Sequence, residues 1–329
     1  MIYVNNQEHT DARINLAIEE HLLRNYRVDE DILLFYINAP SIIIGRNQNT
    51  LEEINLPYVE EHNITVVRRL SGGGAVYHDL GNLNFSFISN SGRENIHNFK
   101  KFTAPVVKVL NDMGVPAELS GRNDILVDGR KISGNAQYIS GQRMVSHGTL
   151  LFNSDLSVVS ESLQVKDSKI NSKGIKSIRS RVANISEFIP VPMDTLAFRE
   201  KIKLGILAEG SNSEYMLTPQ DWESINQISA DRYQQWSWNF GRSPEFNMQK
   251  CERFPIGEID LRINVSEGVI KQIRFFGDYL GLQDVGEIEK RLVGEQFNQA
   301  AISKALEPVD LHAYFGDINK DDFIRFICY

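Results

Sequence analysis

Three consecutive glycines, Gly72, Gly73 and Gly74, follow two arginines in the run Arg68-Arg69-Leu70-Ser71-Gly72-Gly73-Gly74-Ala75-Val76-Tyr77. Glycine loses more backbone freedom on folding than any other residue, so three in a row are costly unless something must approach the main chain closely. Bare backbone N–H groups beside guanidinium donors suit a phosphate or a carboxylate. A flexible hairpin with two solvated arginines is the bland alternative, and this stretch alone does not separate the two. It matches neither GxxxxGK[ST] nor GxGxxG, so neither a P-loop nor a Rossmann cradle is expected.

A second constellation is Lys131-Ile132-Ser133-Gly134-Asn135-Ala136, with Gly121-Arg122-Asn123-Asp124 upstream. In ordinary strand alternation Lys131 points into water. Its neighbours Ser133, Gly134, Asn135 and Ala136 are small or polar and leave open space where a core would place branched side chains. A cation beside such space suits anion binding. The lysine ammonium is a compact charge with rotatable donors, matched to a carboxylate and an α-phosphate that exchange partners during a reaction. Asp124, across the Asp128-Gly129 hairpin, is a candidate Mg²⁺ ligand, because hydrated Mg²⁺ takes one or two carboxylates plus phosphate oxygens. Capping a strand start is the other reading of that aspartate. In residues 166–182, Lys166, Lys169, Lys173, Lys176, Arg179 and Arg181 face only Asp167, a local charge of +5 in a chain of net charge −8. This segment reads as a basic, serine-rich loop.

The elements that must position these groups are legible. Thr10-Asp11 followed by Ile14, Ala17, Ile18 and Leu22 predicts a capped amphipathic helix over 11–25. Strands are expected at 31–37 and 41–44, joined by a tight turn at Asn38-Ala39-Pro40, then at 64–69, 75–78 and 83–88. Phe99, Phe102, Val106, Leu110 and Met113 share a helical face that ends at Gly114. A three-strand meander is expected over 124–127, 131–139 and 144–152, and helices over 194–208 and 219–232. Trp236 to Pro244 reads as a linker into a smaller unit with strands at 257–265 and 269–276 and helices at 284–292 and 296–306. Domains of 1–244 and 245–329 follow. Runs of hairpins with helices between them argue for α+β, a mixed or antiparallel sheet core flanked by helices, with a small α+β C-terminal accessory domain.

Composition narrows the function further. With 329 residues, 42% hydrophobic and 24% charged, the chain is long enough for about two domains with full cores. Its negative charge opposes general binding to nucleic acid or an anionic membrane. Cys251 and Cys328 are its two cysteines, so neither a disulfide framework nor a zinc site is indicated. No basic leader or apolar run of ~20 residues is visible, and a cytoplasmic protein is expected.

The glycine run extended through His78-Asp79-Leu80-Gly81-Asn82, then Gly121-Arg122-Asn123-Asp124, Lys131-Ile132-Ser133-Gly134, His147-Gly148-Thr149-Leu150 and the stretch from Lys173 to Val182 together resemble the lipoate–protein ligase family, over about residues 15–190. The resemblance implies a two-step reaction. Lipoate and Mg-ATP give lipoyl-AMP and pyrophosphate, and a lysine ε-amine on a carrier domain then displaces AMP. It implies lipoate contacts at Ser71, Gly72, Gly73, Gly74, Lys131, Ser133 and Gly134, with the dithiolane end in an apolar channel. It implies ATP or adenylate contacts at Arg69, Gly74, Ala75, Val76, Tyr77, Asn123, Lys131, Lys173 and Arg179, with Lys131 touching both carboxylate and α-phosphate and Asp124 near Mg²⁺. The carriers implied are apo lipoyl domains of 2-oxoacid dehydrogenase E2 subunits or the glycine-cleavage H protein.

Three rivals make distinct demands. An ATP-independent octanoyl or lipoyl transferase of the same superfamily needs a cysteine thiolate beside the lysine motif, and no cysteine precedes position 251. A biotin ligase needs a Gly-Arg-Gly-Arg type loop, to which Gly45-Arg46-Asn47-Gln48-Asn49 is the closest string. A non-catalytic lipoate-binding protein is expected to lack Lys131 or the basic loop.

Overall fold

The computed structural model describes residues 1–329 apart from 27, 93, 122, 164–180, 209–211, 241–247, 267 and 329. The expected boundary between 244 and 245, and most of the basic segment, lie outside the described residues. Eight strands form the main sheet: β1 (Ile2–Asn5), β2 (Ile32–Ile37), β6 (Asn82–Asn90), β7 (Glu118–Ser120), β8 (Asp124–Val127), β9 (Arg130–Ser140), β10 (Arg143–Leu151) and β11 (Ser213–Met216). Their order is β11-β1-β2-β6-β10-β9-β8-β7, parallel only where β1 meets β2 and β11. A second sheet, β4-β3-β5, is built from β3 (Ser41–Ile44), β4 (Thr65–Arg68) and β5 (Val76–His78).

Strands β2 and β3 were expected to face each other across a turn, and they lie in different sheets. All six residues of β2 are buried, so both its edges need strand partners, and β1 and β6 supply them. No edge remains for β3, which takes β4 and β5 instead.

Alternation along β2 divides the core. Leu33, Phe35 and Ile37 pack with Phe102, Val106 and Val109 of helix Phe99–Asp112 and with Phe198 and Ile202 of helix Thr195–Leu207. Leu34 and Tyr36 pack on the other face with Leu16, Ala17 and Ile18 of helix α1 (Ala12–Arg24). Asp11 caps α1 by accepting the N–H of Arg13 at 2.8 Å. This second face, lying under α1 and the small sheet, carries the site.

The C-terminal unit is an antiparallel sheet of β12 (Met248–Phe254), β13 (Gly257–Ser266) and β14 (Val269–Gly277), covered by helices Gly286–Leu292, Gln299–Leu306, Leu311–Phe315 and Lys320–Cys328. Its core joins Ile259, Leu261, Ile263, Phe275, Phe315 and Phe323. Strand β12 and helix Leu311–Phe315 carry no clear sequence signal, whereas helix Lys320–Cys328, with Asp321 and Asp322 ahead of Phe323, Ile324 and Ile327 at helical spacing, was missed. The strand is an exposed edge of mostly polar residues, and helix Leu311–Phe315 is short. The expected linker is in part an element of the larger, N-terminal unit, because Trp236–Asn239 forms a helical turn whose carbonyls receive Arg68. Among the described residues no helix is long and apolar enough to cross a membrane.

Candidate active site

A row of residues crosses five strands: Tyr36 on β2 opposes Asn84 on β6, Asn84 opposes Thr149 on β10, and Gly134 on β9 opposes Asp124 on β8. Gly134 N–H donates to Thr149 Oγ1 at 3.3 Å, closing the row. At about 4.8 Å per strand the row spans about 19 Å. The first four residues line one cavity, together with Leu16, Asn38, Ile43, Arg69, Gly73, Gly74, Val76, His78, Asn123, Lys131, Asn135, Ala136, His147, Gly148 and Leu280. One end, at Tyr36 and His78, is buried. At the other, the side chains of Lys131 and Asp124 are 38% and 36% exposed. A trench closed at one end and carrying an ammonium at the other is built for an elongated acid held by its charged end.

Lys131 reaches the trench because β9 bulges. Ile125 pairs with Ser133 and Leu126 with Lys131, so Ile132 is an extra residue, and it drops into the core. The bulge brings Lys131 onto the face of Gly134 and Asp124, where Lys131 Nζ lies 2.8 Å from Asp124 Oδ1. A Cβ on Gly134 would meet Nζ at 2.9 Å, so glycine there makes room for the pair.

The glycine run lines the cavity at Gly73 and Gly74 and also admits a second stretch of backbone. Gly73 has φ +91°, a conformation that favours glycine, and its N–H donates to Tyr279 O at 3.1 Å. A Cβ on Gly72 would lie 2.4 Å from the same carbonyl. The backbone that approaches closely here belongs to residues 279–281 of the C-terminal unit. Only Gly74 faces open space.

Neither arginine is solvated. Arg68 is fully buried and donates to the carbonyls of Gly45, Gln48, Trp238 and Asn239 and to Thr50 Oγ1, so it organises loops rather than a ligand. Arg69 donates to Ile43 O, Gly72 O, Gly74 O and Ser71 Oγ at 2.6–3.0 Å. Burial pulls its guanidinium down to about 10, against the opposing effect of Tyr36 and Glu19. Arg69 therefore lines the trench while fastening the glycine run.

Beneath the trench lies a buried chain: Ser71 Oγ is 2.6 Å from His147 Nε2, and His147 Nδ1 is 2.9 Å from Glu19 Oε2. Glu19 also accepts from Ser86. The order serine, histidine, carboxylate is that of a hydrolase triad, but Ser71 is wholly buried and does not line the cavity.

Of the expected site residues, the structure brings Arg69, Gly73, Gly74, Val76, Asn123, Lys131 and Gly134 to the cavity. Ser71, Gly72, Ala75, Tyr77 and Ser133 do not line it. Tyr77 and Ala75 pack with Ile42 and Ile44 behind the small sheet. Ser133 is buried and accepts from Asn135 Nδ2 at 3.2 Å. Lys173 and Arg179 lie outside the described residues. Just beyond the basic segment, the Ala183 N–H donates to the Lys131 carbonyl at 3.0 Å. Sequence reasoning missed Tyr36 and Asn84, whose only signal is polarity inside buried strands, and Asn38, which reads as a turn residue, as well as Glu19 and Leu280. Among the described residues no group of three or more His, Cys, Asp or Glu side chains could hold a metal ion. Asp124, partly exposed beside Lys131, offers one carboxylate, which fits the few-carboxylate mode of Mg²⁺.

Residues 11–206 match the family model for the lipoyl protein ligase A/B catalytic domain, and residues 243–327 that for the bacterial lipoate protein ligase C-terminus. The chain is 56% identical over 330 residues to lipoate-protein ligase LplJ of Bacillus subtilis (strain 168), covering 99% of this chain and 100% of that one. P. falciparum LipL1, solved in complex with lipoate, matches with a TM-score of 0.77 at 25% identity, over 99% of this chain and 97% of that one. A lipoate-protein ligase A bound with ATP matches with a TM-score of 0.60 at 30% identity, over 70% and 94%. The chain belongs to the lipoate–protein ligase family.

Proposed function

We propose that the protein activates lipoate with ATP to lipoyl-AMP and pyrophosphate, then passes the lipoyl group to a lysine on a carrier domain. The observation that carries this reading is the Lys131–Asp124 pair at the open end of a trench whose other end is buried. Lys131 would hold the carboxylate against the α-phosphate and, as charge grows on phosphorus, stabilise it. Adenylate formation needs no enzyme nucleophile, so placement and charge supply the catalysis. Arg69, Gly74, Val76 and Asn123 line the same cavity and would meet the nucleotide there. Ala75 and Tyr77 would contribute through backbone or by holding that wall, and Ser71, Gly72 and Ser133 by shaping it under the acyl chain. Lys173 and Arg179 would close over the adenylate from the basic segment, whose end returns beside Lys131. Mg²⁺, bound by Asp124 and phosphate oxygens, would neutralise charge on the leaving pyrophosphate. The acceptors would be apo lipoyl domains of E2 subunits or the H protein, the compartment the cytoplasm, and the units 1–244 and 245–329 the catalytic and accessory domains.

Cys251 is exposed on β12 and Cys328 ends the last helix, and neither lines the cavity, which disfavours thioester transfer. The test is exchange of labelled pyrophosphate into ATP. It should depend on lipoate, and adding an apo lipoyl domain should yield a carrier one lipoyl group heavier by mass spectrometry. Exchange that ignores lipoate, or carrier modification without ATP, would refute the reading.

A further inference from the structure

The buried end of the trench is polar where an acyl chain alone would favour apolar walls. Tyr36, Asn38, His78 and Asn84 line it beside Leu16 and Ile43. His78 is 4% exposed, and its Nε2 has no hydrogen-bond partner among the described residues.

A chain of amides determines which ring nitrogen carries the proton. The carbonyl oxygen of His9 can only accept, and it lies 2.9 Å from Asn6 Nδ2 and 2.8 Å from Asn15 Nδ2. Both amides are thereby oriented, and Asn6 Nδ2 donates onward to Asn15 Oδ1 at 2.9 Å. Asn15 Nδ2 faces Asn38 Oδ1 at 2.9 Å, so Asn38 turns its Nδ2 toward His78 Nδ1, 3.0 Å away. An amide NH2 donates, so Nδ1 is the acceptor. A neutral imidazole with Nδ1 bare carries its proton on Nε2. Burial, then the charges of Arg69 and His147, push His78 down to about 3, so the ring is neutral near pH 7. The far end of the trench therefore holds an oriented N–H donor with no acceptor among the described residues.

We propose that the Nε2–H of His78 reads the sulfur atoms at the distal end of lipoate and makes the site prefer lipoate to saturated acids of the same length. The inference rests on the lipoate-ligase reading. Lys131 holds the carboxylate at the open end, so the distal atoms of the acid reach the buried end. Sulfur accepts only weakly, and the direct gain is small. A methyl terminus does worse, because it fills the space and leaves a buried donor unpaired. That penalty, rather than the strength of the N–H···S contact, sets the selectivity. An apolar end wall would treat the two acids alike apart from their bulk.

The test measures acid-dependent pyrophosphate exchange with lipoate, octanoate and 5-cyclopentylpentanoate, which keeps the five-membered ring and replaces both sulfurs by methylenes. Wild-type protein should show kcat/KM for lipoate roughly 10-fold above either sulfur-free acid. In His78→Phe, which keeps an aromatic ring and removes the donor, that ratio should fall toward unity. Equal use of the ring analogue and lipoate by wild type, or an unchanged ratio in folded His78→Phe, would overturn the proposal. The wild-type comparison decides the matter even if the variant fails to fold. Absence of exchange with every acid would overturn the ligase reading and this proposal with it, whereas exchange without sulfur preference overturns the proposal alone.

Discussion

Lys131 Nζ stands 2.8 Å from Asp124 Oδ1 because one extra residue, Ile132, bulges β9 opposite β8. The bulge re-aims a side chain that strict alternation would send elsewhere, a use of bulges common beside active sites. Both partners are about one-third exposed, so the pair is a poised arrangement of charges and contributes little to stability.

Lys131→Ala should leave the fold intact and remove the charge aimed at the developing phosphoryl group. A loss of about 3 kcal/mol in transition-state stabilisation is expected, roughly 10²–10³ in rate. Pyrophosphate exchange gives the rate and circular dichroism the fold. A folded variant with near-native exchange would take Lys131 out of the chemistry.

Glu19→Gln should destabilise the protein by ~1–3 kcal/mol, because the carboxylate is an acceptor for His147 Nδ1 and for Ser86, and an amide places a donor against one of them. Ser71→Ala in the same background should cost less than the two single changes added together, since the residues share one chain. Chemical denaturation of the two single variants and the double variant measures this directly, and strict additivity would show that the chain is not a unit.

Gly72→Ala and Gly74→Ala should part company although they are two residues apart. At Gly72 the new methyl meets Tyr279 O at 2.4 Å, so the junction with the C-terminal unit must shift, at ~1–3 kcal/mol. At Gly74 it meets open space on the cavity wall, so stability should stay within ~0.5 kcal/mol while KM for lipoate or ATP rises. Thermal melts and steady-state kinetics separate the two outcomes. Equal melting shifts would contradict the packing account.

Stability should fall on acidification partly through His78. Its folded-state value of about 3, set by burial and then by Arg69 and His147, lies below the unfolded value of 6.5. The unfolded chain therefore binds the extra proton first. The contribution is fully present above pH 6.5 and is lost progressively as pH falls toward 3, on the order of 3 kcal/mol by pH 4. Urea midpoints at pH 7, 5.5 and 4 should drop less steeply for His78→Phe than for wild type, and parallel slopes would show that another group dominates.

The double substitution Cys251→Ser, Cys328→Ser should keep ATP-dependent lipoylation of an apo carrier, since neither thiol lines the trench. Mass spectrometry of the carrier with and without ATP reads the outcome. A folded but inactive variant would revive the thioester route.

Local pattern was enough to determine α1, the helices Phe99–Asp112 and Thr195–Leu207 and the meander of β8 to β10, and with them the two constellations around Gly72 and Lys131. Helical spacing and a capping aspartate identify α1, and β-rich runs between turn residues identify β8 to β10, because these signals depend on neighbours along the chain. Pairing between sheets depends on which strand edges are already occupied. For that reason β2 and β3, three residues apart, part into different sheets, and nothing local marks it. The same limit explains the glycine run. From sequence, Gly72 and Gly73 mean that something comes close to the backbone, and only the packed structure reveals that Tyr279, some two hundred residues on, is what comes close. Arg68 and Arg69 are alike as residue types. Tertiary packing buries Arg68 among loop carbonyls and leaves Arg69 at the cavity wall. Glu19 carries no signal in the chain, and His78 shows there only as a member of the motif around the glycine run; their roles come from His147 and Asn38, brought beside them by the fold, and burial makes those partnerships obligatory.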